Sequence, residues 1–546
     1  MFKEDRRVKL LTLWAMAFAL FMAMLDNTVI NVALPQIQLH FNSGVSGLQW
    51  IIDAYTLVFA SFMLSGGTLG DIYGRKRLFL IGLVVFTGGS LLAGLSTTLS
   101  MLIAARALQG LGAAALMPGT LSILTNTFPD PRERAQAIGI WAGVSGIALA
   151  AGPIIGGGLV DTLGWQSIFF LNVPIGVVAF IVATMVVRES KNPEGRHLDL
   201  PGQILAIIGL GSLTYALIEA NAKGWTSPLI LSLFGIAAVG LSLFVWVESR
   251  STSPMLQLKF FRNRTFAAAN LDAAIVSFGM FGIIFFLSLF FQNVQGYSAF
   301  EAGVRQLPAT LAIIVTAPLA GQIAGRIGSR VPMTVGMTLM GTSLLLMTTI
   351  DAGDAYMSIW PFLTMMGIGM GLVMTPMTAA VMSSVPPARA GMASATSSAN
   401  REVGGVFGIA FLGAIVTHFF TSELTSSLAK IPLPDGVRAQ VLAIASRGAR
   451  EQSGAGQLPA KVVQQLHVAV DNAFVHGMHI GLTVAGLTVL GGAIVAFLFV
   501  KHGAPVVVHE GLPQPQPELE PQAGLETQRE TPCDDEPQLC PEPVID

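Results

Sequence analysis

The chain has 546 residues, 52% of them hydrophobic and only 11% charged, with a formal net charge of −2 and a mean hydropathy of +0.66. Ordinary soluble domains carry about a quarter charged residues, so this composition excludes one and points to an integral membrane protein. Near-neutral charge excludes a domain-wide basic field for nucleic acid. Both cysteines, Cys533 and Cys540, lie in the final tail, so no disulfide or cysteine metal site holds the body together, and no metal or cofactor is expected.

A helix needs about 20 mostly apolar residues to cross about 30 Å of hydrocarbon, and about fourteen stretches qualify. The first, 11–33, follows Lys3, Arg6, Arg7 and Lys9. It exceeds a signal-peptide core and lacks a convincing cleavage site, so a retained first span is expected. Further spans are predicted over 49–69, 78–97, 101–125, 135–160, 167–187, 200–218, 229–247, 266–291, 303–325, 332–350, 357–381, 393–420 and 478–499. Long continuous runs of this kind exclude a β-barrel.

Alternate loops concentrate cations: Arg75, Lys76 and Arg77; Arg132 and Arg134; Arg188, Lys191 and Arg196; Arg250, Lys259, Arg262 and Arg264; Arg326 and Arg330; Arg389; and Lys501 after the last span. The intervening short loops are nearly free of them, Lys223 and Arg305 being the exceptions. The positive-inside bias then predicts a multi-pass protein with both termini cytoplasmic, and the plasma (inner) membrane is its expected location. Residues 421–475 are expected to form a long outer loop whose amphipathic parts, Val437–Ile444 and Lys461–Val470, make short helices on or near the membrane. Residues 503–546, rich in proline, glutamine and acids, are expected to be a disordered cytoplasmic tail.

The loop between the second and third spans reads Gly67-Thr-Leu-Gly70-Asp71-Ile-Tyr-Gly74-Arg75-Lys76-Arg77. Three successive cations cannot sit in hydrocarbon, and the glycines permit a tight reversal and close helix approach. An ordinary basic loop would explain the cations, but neither the glycine spacing nor Asp71. The motif returns weakly as Gly321-Gln-Ile-Ala-Gly325-Arg326-Ile-Gly328-Ser-Arg330, and Gly110-Leu-Gly112 with Pro118 has a counterpart in Gly367-Ile-Gly369 with Pro376. Two related six-helix bundles are therefore expected, 1–190 and 251–502, with an inserted helix pair over 191–250. In repeats of this kind the substrate site lies between the halves near the bilayer midplane.

These motifs resemble the major facilitator superfamily, and several stretches resemble its fourteen-helix drug:proton antiporter branch. They are Leu25-Asp26-Asn27-Thr28-Val29-Ile30-Asn31-Val32-Ala33-Leu34-Pro35 in the first span, Arg106-Ala-Leu-Gln109-Gly110-Leu-Gly112 in the fourth and Gly143-Val-Ser-Gly146 leading to Gly152-Pro153-Ile-Ile-Gly156-Gly157 in the fifth. Gly164-Trp165-Gln166-Ser167 through Asn172-Val-Pro174-Ile-Gly176 precedes and opens the sixth, and Ala393-Ser394 through Asn400-Arg401-Glu402-Val-Gly404-Gly405 lies in the thirteenth. The likeness covers about 8–500 and implies an all-α major facilitator fold, two six-helix bundles plus two inserted helices.

Ionisable groups inside spans cost several kcal/mol unless paired or hydrated, so each is a functional candidate. The resemblance implies a central cavity with a proton-coupled site at Asp26 and Arg106, to which Gln109, Asn31, Asp53 and Asp272 are added. Burial favours the neutral carboxyl, while a neighbouring arginine or bound cation favours the carboxylate, the competition an antiporter requires. Structural alternatives stay open: a helix-capping or interhelical hydrogen bond for Asp26, a structural pair for Arg106, and a hydrated interfacial position for Asp53. Asp272 would gate or bind, and Arg401–Glu402 reads as a local pair. The resemblance further implies that Asp71 meets the amino end of the thirteenth span around Gly391–Ala395, where the helix dipole favours an anion. Arg75 would reach Asp130. Gly67, Gly74, Lys76, Gly152, Pro153 and Gly156 complete the conformational set. The five methionines Met365, Met366, Met370, Met374 and Met377 of the twelfth span would give an adaptable lining.

There is no phosphate loop, no H-E-x-x-H and no G-x-S-x-G, so ATP coupling and hydrolase chemistry lack their residues and an enzyme is not expected. A receptor or sensor would need neither the two bundles nor the glycine run. The expected function is proton-coupled efflux of lipophilic, cationic drugs or toxic compounds, with a dedicated exporter of one metabolite such as an antibiotic, siderophore or amino acid as the alternative. The expected partners are a small-molecule substrate, protons and the lipid bilayer. A periplasmic adaptor is compatible with this reading, and no segment demonstrates one.

Overall fold

The computed structural model describes residues 2–191, 198–251, 254, 256–385, 390–431 and 460–501. The expected disordered tail over 503–546 and the amphipathic stretch Val437–Ile444 lie outside the described residues. Among the described residues every regular element is helical.

The chain runs through α1 (Phe2–Phe41), α2 (Val45–Tyr73), α3 (Arg75–Gly94), α4 (Leu99–Thr127), α5 (Pro131–Leu163), α6 (Ser167–Phe170) and α7 (Asn172–Val186). It continues through α8 (Leu200–Lys223), α9 (Pro228–Arg250), α10 (Arg264–Leu289), α11 (Ala299–Arg305) and α12 (Leu307–Ile327). The last four are α13 (Arg330–Leu346), α14 (Tyr356–Ser383), α15 (Ala390–Ala429) and α16 (Ala460–Phe499). Among the described residues, 13 helical segments are long and apolar enough to cross a membrane. α5, 33 residues long, coincides with the remaining expected span. The spans are joined by tight turns, several built on glycine: Gly74, Gly164, Gly224 and Gly328 all have φ between +83° and +118°.

Packing partitions the helices into two sets. α1 packs on α5 and α7, while α4 packs on α2 and α3. In the second set α10 packs on α15 and α16, α13 on α14 and α16, and α12 on α14. α8 and α9 pair with each other, and α8 also touches α2 and α15. Leucine, isoleucine, valine and phenylalanine side chains on the outward faces, such as Val84, Val239 and Val335, stay exposed. In a membrane protein that surface meets lipid, so its exposure carries no hydrophobic penalty.

The expected outer loop is a correction. Residues 421–429 continue α15, and 460–477 belong to α16, so each helix is 40 residues long, about 60 Å, twice the hydrocarbon thickness. Lys461–Val470 does not form a separate helix on the membrane surface. Leu424 and Leu428 pack against Leu466 and Ala473. Apolar residues four apart on each helix make a stripe that is buried on its partner more completely than on a lipid interface.

Candidate functional site: a buried charge network and an inter-set seam

α1, α4 and α7 converge on one carboxylate, and α3 joins them through Ser90. Arg106 Nη1 donates to Asp26 Oδ2 at 2.5 Å, and Asp26 Oδ1 accepts from Gln109 Nε2 at 3.1 Å and Asn172 Nδ2 at 2.7 Å. Gln109 also donates to Ser90 Oγ at 2.7 Å and accepts from Arg106 at 2.9 Å. The i,i+3 spacing of Arg106 and Gln109 puts both on one face of α4. Gly89 lets them in, since a Cβ there would stand 2.9 Å from the Gln109 side chain. Arg106 Nε bonds the Ile51 carbonyl at 3.1 Å, and its guanidinium lies 4.4 Å from the Tyr55 ring centroid.

Arg106 is 0% exposed and Asp26 5%. A buried ion pair survives only when its remaining lone pairs and protons are served, and here the Gln109 and Asn172 side chains and the Ile51 carbonyl do so. Arg106 Nη2 and Asn172 Oδ1 have no hydrogen-bond partner. In this conformation three donors enclose Asp26, the interhelical hydrogen bonding left open for it above. Ser90, Tyr55 and Asn172 join the site although the sequence assigned them no role. Asn172, a lone amide opening an otherwise apolar span, was the available signal.

Asn31 lies apart from this network. Its side chain returns to the Asn27 carbonyl at 3.2 Å, while its own carbonyl accepts Ser288 Oγ at 2.6 Å. Asp53 is 0% exposed, with no hydrogen-bond partner for either oxygen, which overturns the hydrated interfacial position. Asp272 is likewise 0% exposed and unpartnered, on α10 facing Gly492 of α16. Arg401 turns to Ser398 Oγ at 3.0 Å rather than to Glu402, whose Oε2 has no partner.

At the basic end, Arg75 Nε donates to Asp71 Oδ1 at 2.8 Å. Glu189, unanticipated, caps α3 by accepting the N–H groups of Lys76 at 3.0 Å and Arg77 at 3.2 Å. That approach requires Gly74, where a Cβ would stand 2.8 Å from the Glu189 carboxylate. Lys76 Nζ reaches the Thr184 carbonyl at 2.7 Å, and Asp130 caps α5 through the Glu133 N–H at 2.9 Å. Gly67 faces Pro118 of α4. Of the expected Asp71 contact around Gly391–Ala395, the surroundings of Gly391 and the side chain of Met392 are not described. The two exceptional cations are also accounted for: Arg305 stacks 3.5 Å from the Tyr297 ring centroid, and Lys223 lies 3.6 Å from Glu219.

The two sets meet away from the basic loops. Gln49 Nε2 donates to the Ile409 carbonyl at 2.7 Å, and Gln292 Nε2 to the Val32 carbonyl at 3.0 Å. Asp161, near the end of α5, accepts the N–H groups of Ala299 at 3.2 Å and Phe300 at 2.8 Å on α11. The glycine run of α5 makes this approach possible: Gly152 and Gly156 lie against Thr28, Val29 and Val32 of α1, and Gly157 against Ala299 and Phe300. A Cβ at Gly157 would stand 2.5 Å from Phe300 Cα. Pro153 leaves its carbonyl against Gly303. One helix thus packs on both sets through positions that lack side chains.

A membrane-embedded helical body with paired helix sets and a buried ionic network defines a transporter class. The profile described as Major Facilitator Superfamily matches residues 16–409, and the chain belongs to that superfamily. It is 39% identical to "Multidrug resistance protein Stp" of Mycobacterium tuberculosis (strain CDC 1551 / Oshkosh), covering 88% of this chain and 90% of that protein. It is 34% identical to the "Tetracenomycin C resistance and export protein" of Streptomyces glaucescens, over 90% of this chain and 92% of that one. A solved bacterial homologue of the human lysosomal transporter Spinster, in an inward-facing and occupied conformation, has the same fold. Its TM-score is 0.59 at 19% identity, covering 89% of this chain and 95% of that one. Members of this family are transporters rather than enzymes, and the relatives' names support drug efflux.

Proposed function

We propose that this protein exports lipophilic, cationic drugs or toxic compounds in exchange for protons by alternating access. Residues 1–190 and 251–502 act as two moving halves in the plasma membrane, with both termini cytoplasmic. The observation that carries the reading is the enclosed Asp26 carboxylate, held by Arg106, Gln109 and Asn172 on two other helices. A proton on Asp26 removes the charge that holds Arg106 Nη1, so proton arrival loosens α1 from α4 and α7. Asp53 and Asp272, buried without partners, are the carboxylates free to receive a cation or proton as the halves separate. The hydrogen bonds of Gln49, Gln292 and Asp161 keep the outer end closed meanwhile. Asp71 and Arg75, with Gly67, Gly74, Lys76 and Asp130, govern the cytoplasmic end.

The test is efflux from proteoliposomes across a panel of lipophilic cations and neutral drugs under an imposed pH gradient. Gradient-dependent export of several cations supports the reading, and transport that ignores the gradient overturns it. The tetracenomycin relative supports a second reading, a dedicated exporter of one metabolite. Export confined to one compound of the panel would select it.

A further inference from the structure

The inserted pair α8–α9 has no part in the network, yet α8 is attached to its two neighbours in different ways. Toward α2 it is bonded near both ends. At its start, Gln203 Nε2 donates to the Ser61 carbonyl at 2.8 Å, and Gln203 Oε1 accepts from the Ser65 hydroxyl. Near its end, Glu219 Oε1 accepts the Trp50 indole N–H at 3.1 Å, and the Tyr215 ring lies 5.7 Å from Trp50. The gripped stretch of α2, Trp50 to Ser65, is about 22 Å of helix. Toward α15 the attachment sits at one level: Asn221 Nδ2 donates to the Ala414 carbonyl at 2.6 Å, and Leu217 and Ile218 pack on Ala410 beside Phe407. This is where α2 and α15 touch each other through Gln49 and Ile409, so α8 lies over that seam.

The two attachments differ in what their rupture would leave behind. Gln203 is buried, as is Ser65, and parting them would strand an amide and a hydroxyl with no water to replace the bond. The Ala414 carbonyl belongs to a continuous helix and keeps its own N–H donor when Asn221 leaves. The apolar contact with Ala410 and Phe407 has no directional bond and permits sliding.

We propose that α8 and α9 are a fixed flange of the N-terminal half. They travel with α2 when access changes and cover the α2–α15 seam from lipid, with Asn221–Ala414 as the releasable contact. The inference rests on the alternating-access reading above.

The experiment uses the full-length chain in lipid bilayers, with Cys533 and Cys540 replaced by serine and spin labels on pairs of introduced cysteines. Leu92 on α3, Leu231 on α9 and Leu346 on α13 are exposed and lie toward the end away from the basic loops. Distances are measured at neutral and at acidic pH. The expected result is a Leu92–Leu231 distance that stays fixed while Leu231–Leu346 changes together with Leu92–Leu346. Asn221→Ala should raise the population of the longer Leu231–Leu346 distance about threefold. A Leu231–Leu346 distance that stays fixed while Leu92–Leu231 changes would tie the flange to the other half and overturn the proposal. Loss of a fixed Leu92–Leu231 distance in any other pattern overturns it too. If Leu92–Leu346 itself never changes, alternating access fails, and the flange with it.

Discussion

Asp26 and Arg106, 80 residues apart in sequence, are joined at 2.5 Å with almost no exposure to solvent. Removing one partner of such a pair leaves an uncompensated charge in low dielectric, at a cost of about 3–5 kcal/mol. Asp26→Asn preserves shape and some hydrogen bonding but not charge. The variant is expected to lose gradient-driven export by about tenfold or more while retaining some ligand binding. Counterflow, ligand binding and gradient-driven efflux in proteoliposomes separate these; undiminished gradient-driven efflux would remove Asp26 from coupling.

Arg106 makes directed bonds from two of its nitrogens, to Ile51, Asp26 and Gln109. A lysine ammonium cannot reproduce that planar fork. Arg106→Lys should therefore keep the charge yet lower the melting temperature in detergent by several degrees, matching about 1–3 kcal/mol of unsatisfied acceptors. A melting temperature equal to the parent protein's would mean that charge alone suffices.

Asp161 ties α5 to α11 through two backbone N–H groups. Asp161→Ala gives them up, and the closed population at that end should fall about tenfold, allowing for solvent screening of an exposed carboxylate. Labelling of a cysteine placed at the α5–α11 contact, with a membrane-impermeant reagent, should accelerate accordingly. An unchanged labelling rate would show that the contact is ornamental.

Neighbouring glycines of α5 should respond unequally. A side chain at Gly157 meets Phe300 Cα at 2.5 Å, whereas one at Gly158 meets only the Phe300 ring edge at 3.8 Å. Gly157→Leu should abolish export, and Gly158→Leu should leave it within about twofold. Equal losses from both would argue against close approach as the reason for the run.

Asp71→Asn weakens the 2.8 Å bond to Arg75. Export should drop strongly while surface expression and melting temperature stay near the parent protein's. Normal efflux by the well-expressed variant would sink the gating role.

Hydropathy located the spans because crossing hydrocarbon demands length and apolarity regardless of neighbours. Arg106 and Gln109 were legible because a buried cation inside a span needs partners. Ser90, Tyr55 and Asn172 were not, since only the packing of α3, α2 and α7 around α4 decides which polar side chains reach Gln109, Arg106 or Asp26. Asp53 was misplaced for a related reason. Its distance from the end of a span suggests hydration, but neighbouring helices bury it completely. The paired extensions of α15 and α16 escaped because charged and polar residues over 421–431 and 460–472 look like loop, whereas Leu424, Leu428 and Leu466 need only each other to stay helical. Glu189 was invisible for want of any sign that the chain after α7 returns to the start of α3.

Those paired extensions give the transporter a stiff aqueous handle. An antibody fragment or a rigidly fused partner gripping 422–430 would leave the lipid-facing wall untouched and add an asymmetric mass for particle alignment. The same epitope, inserted there, would also report directly which side of the bilayer the hairpin reaches.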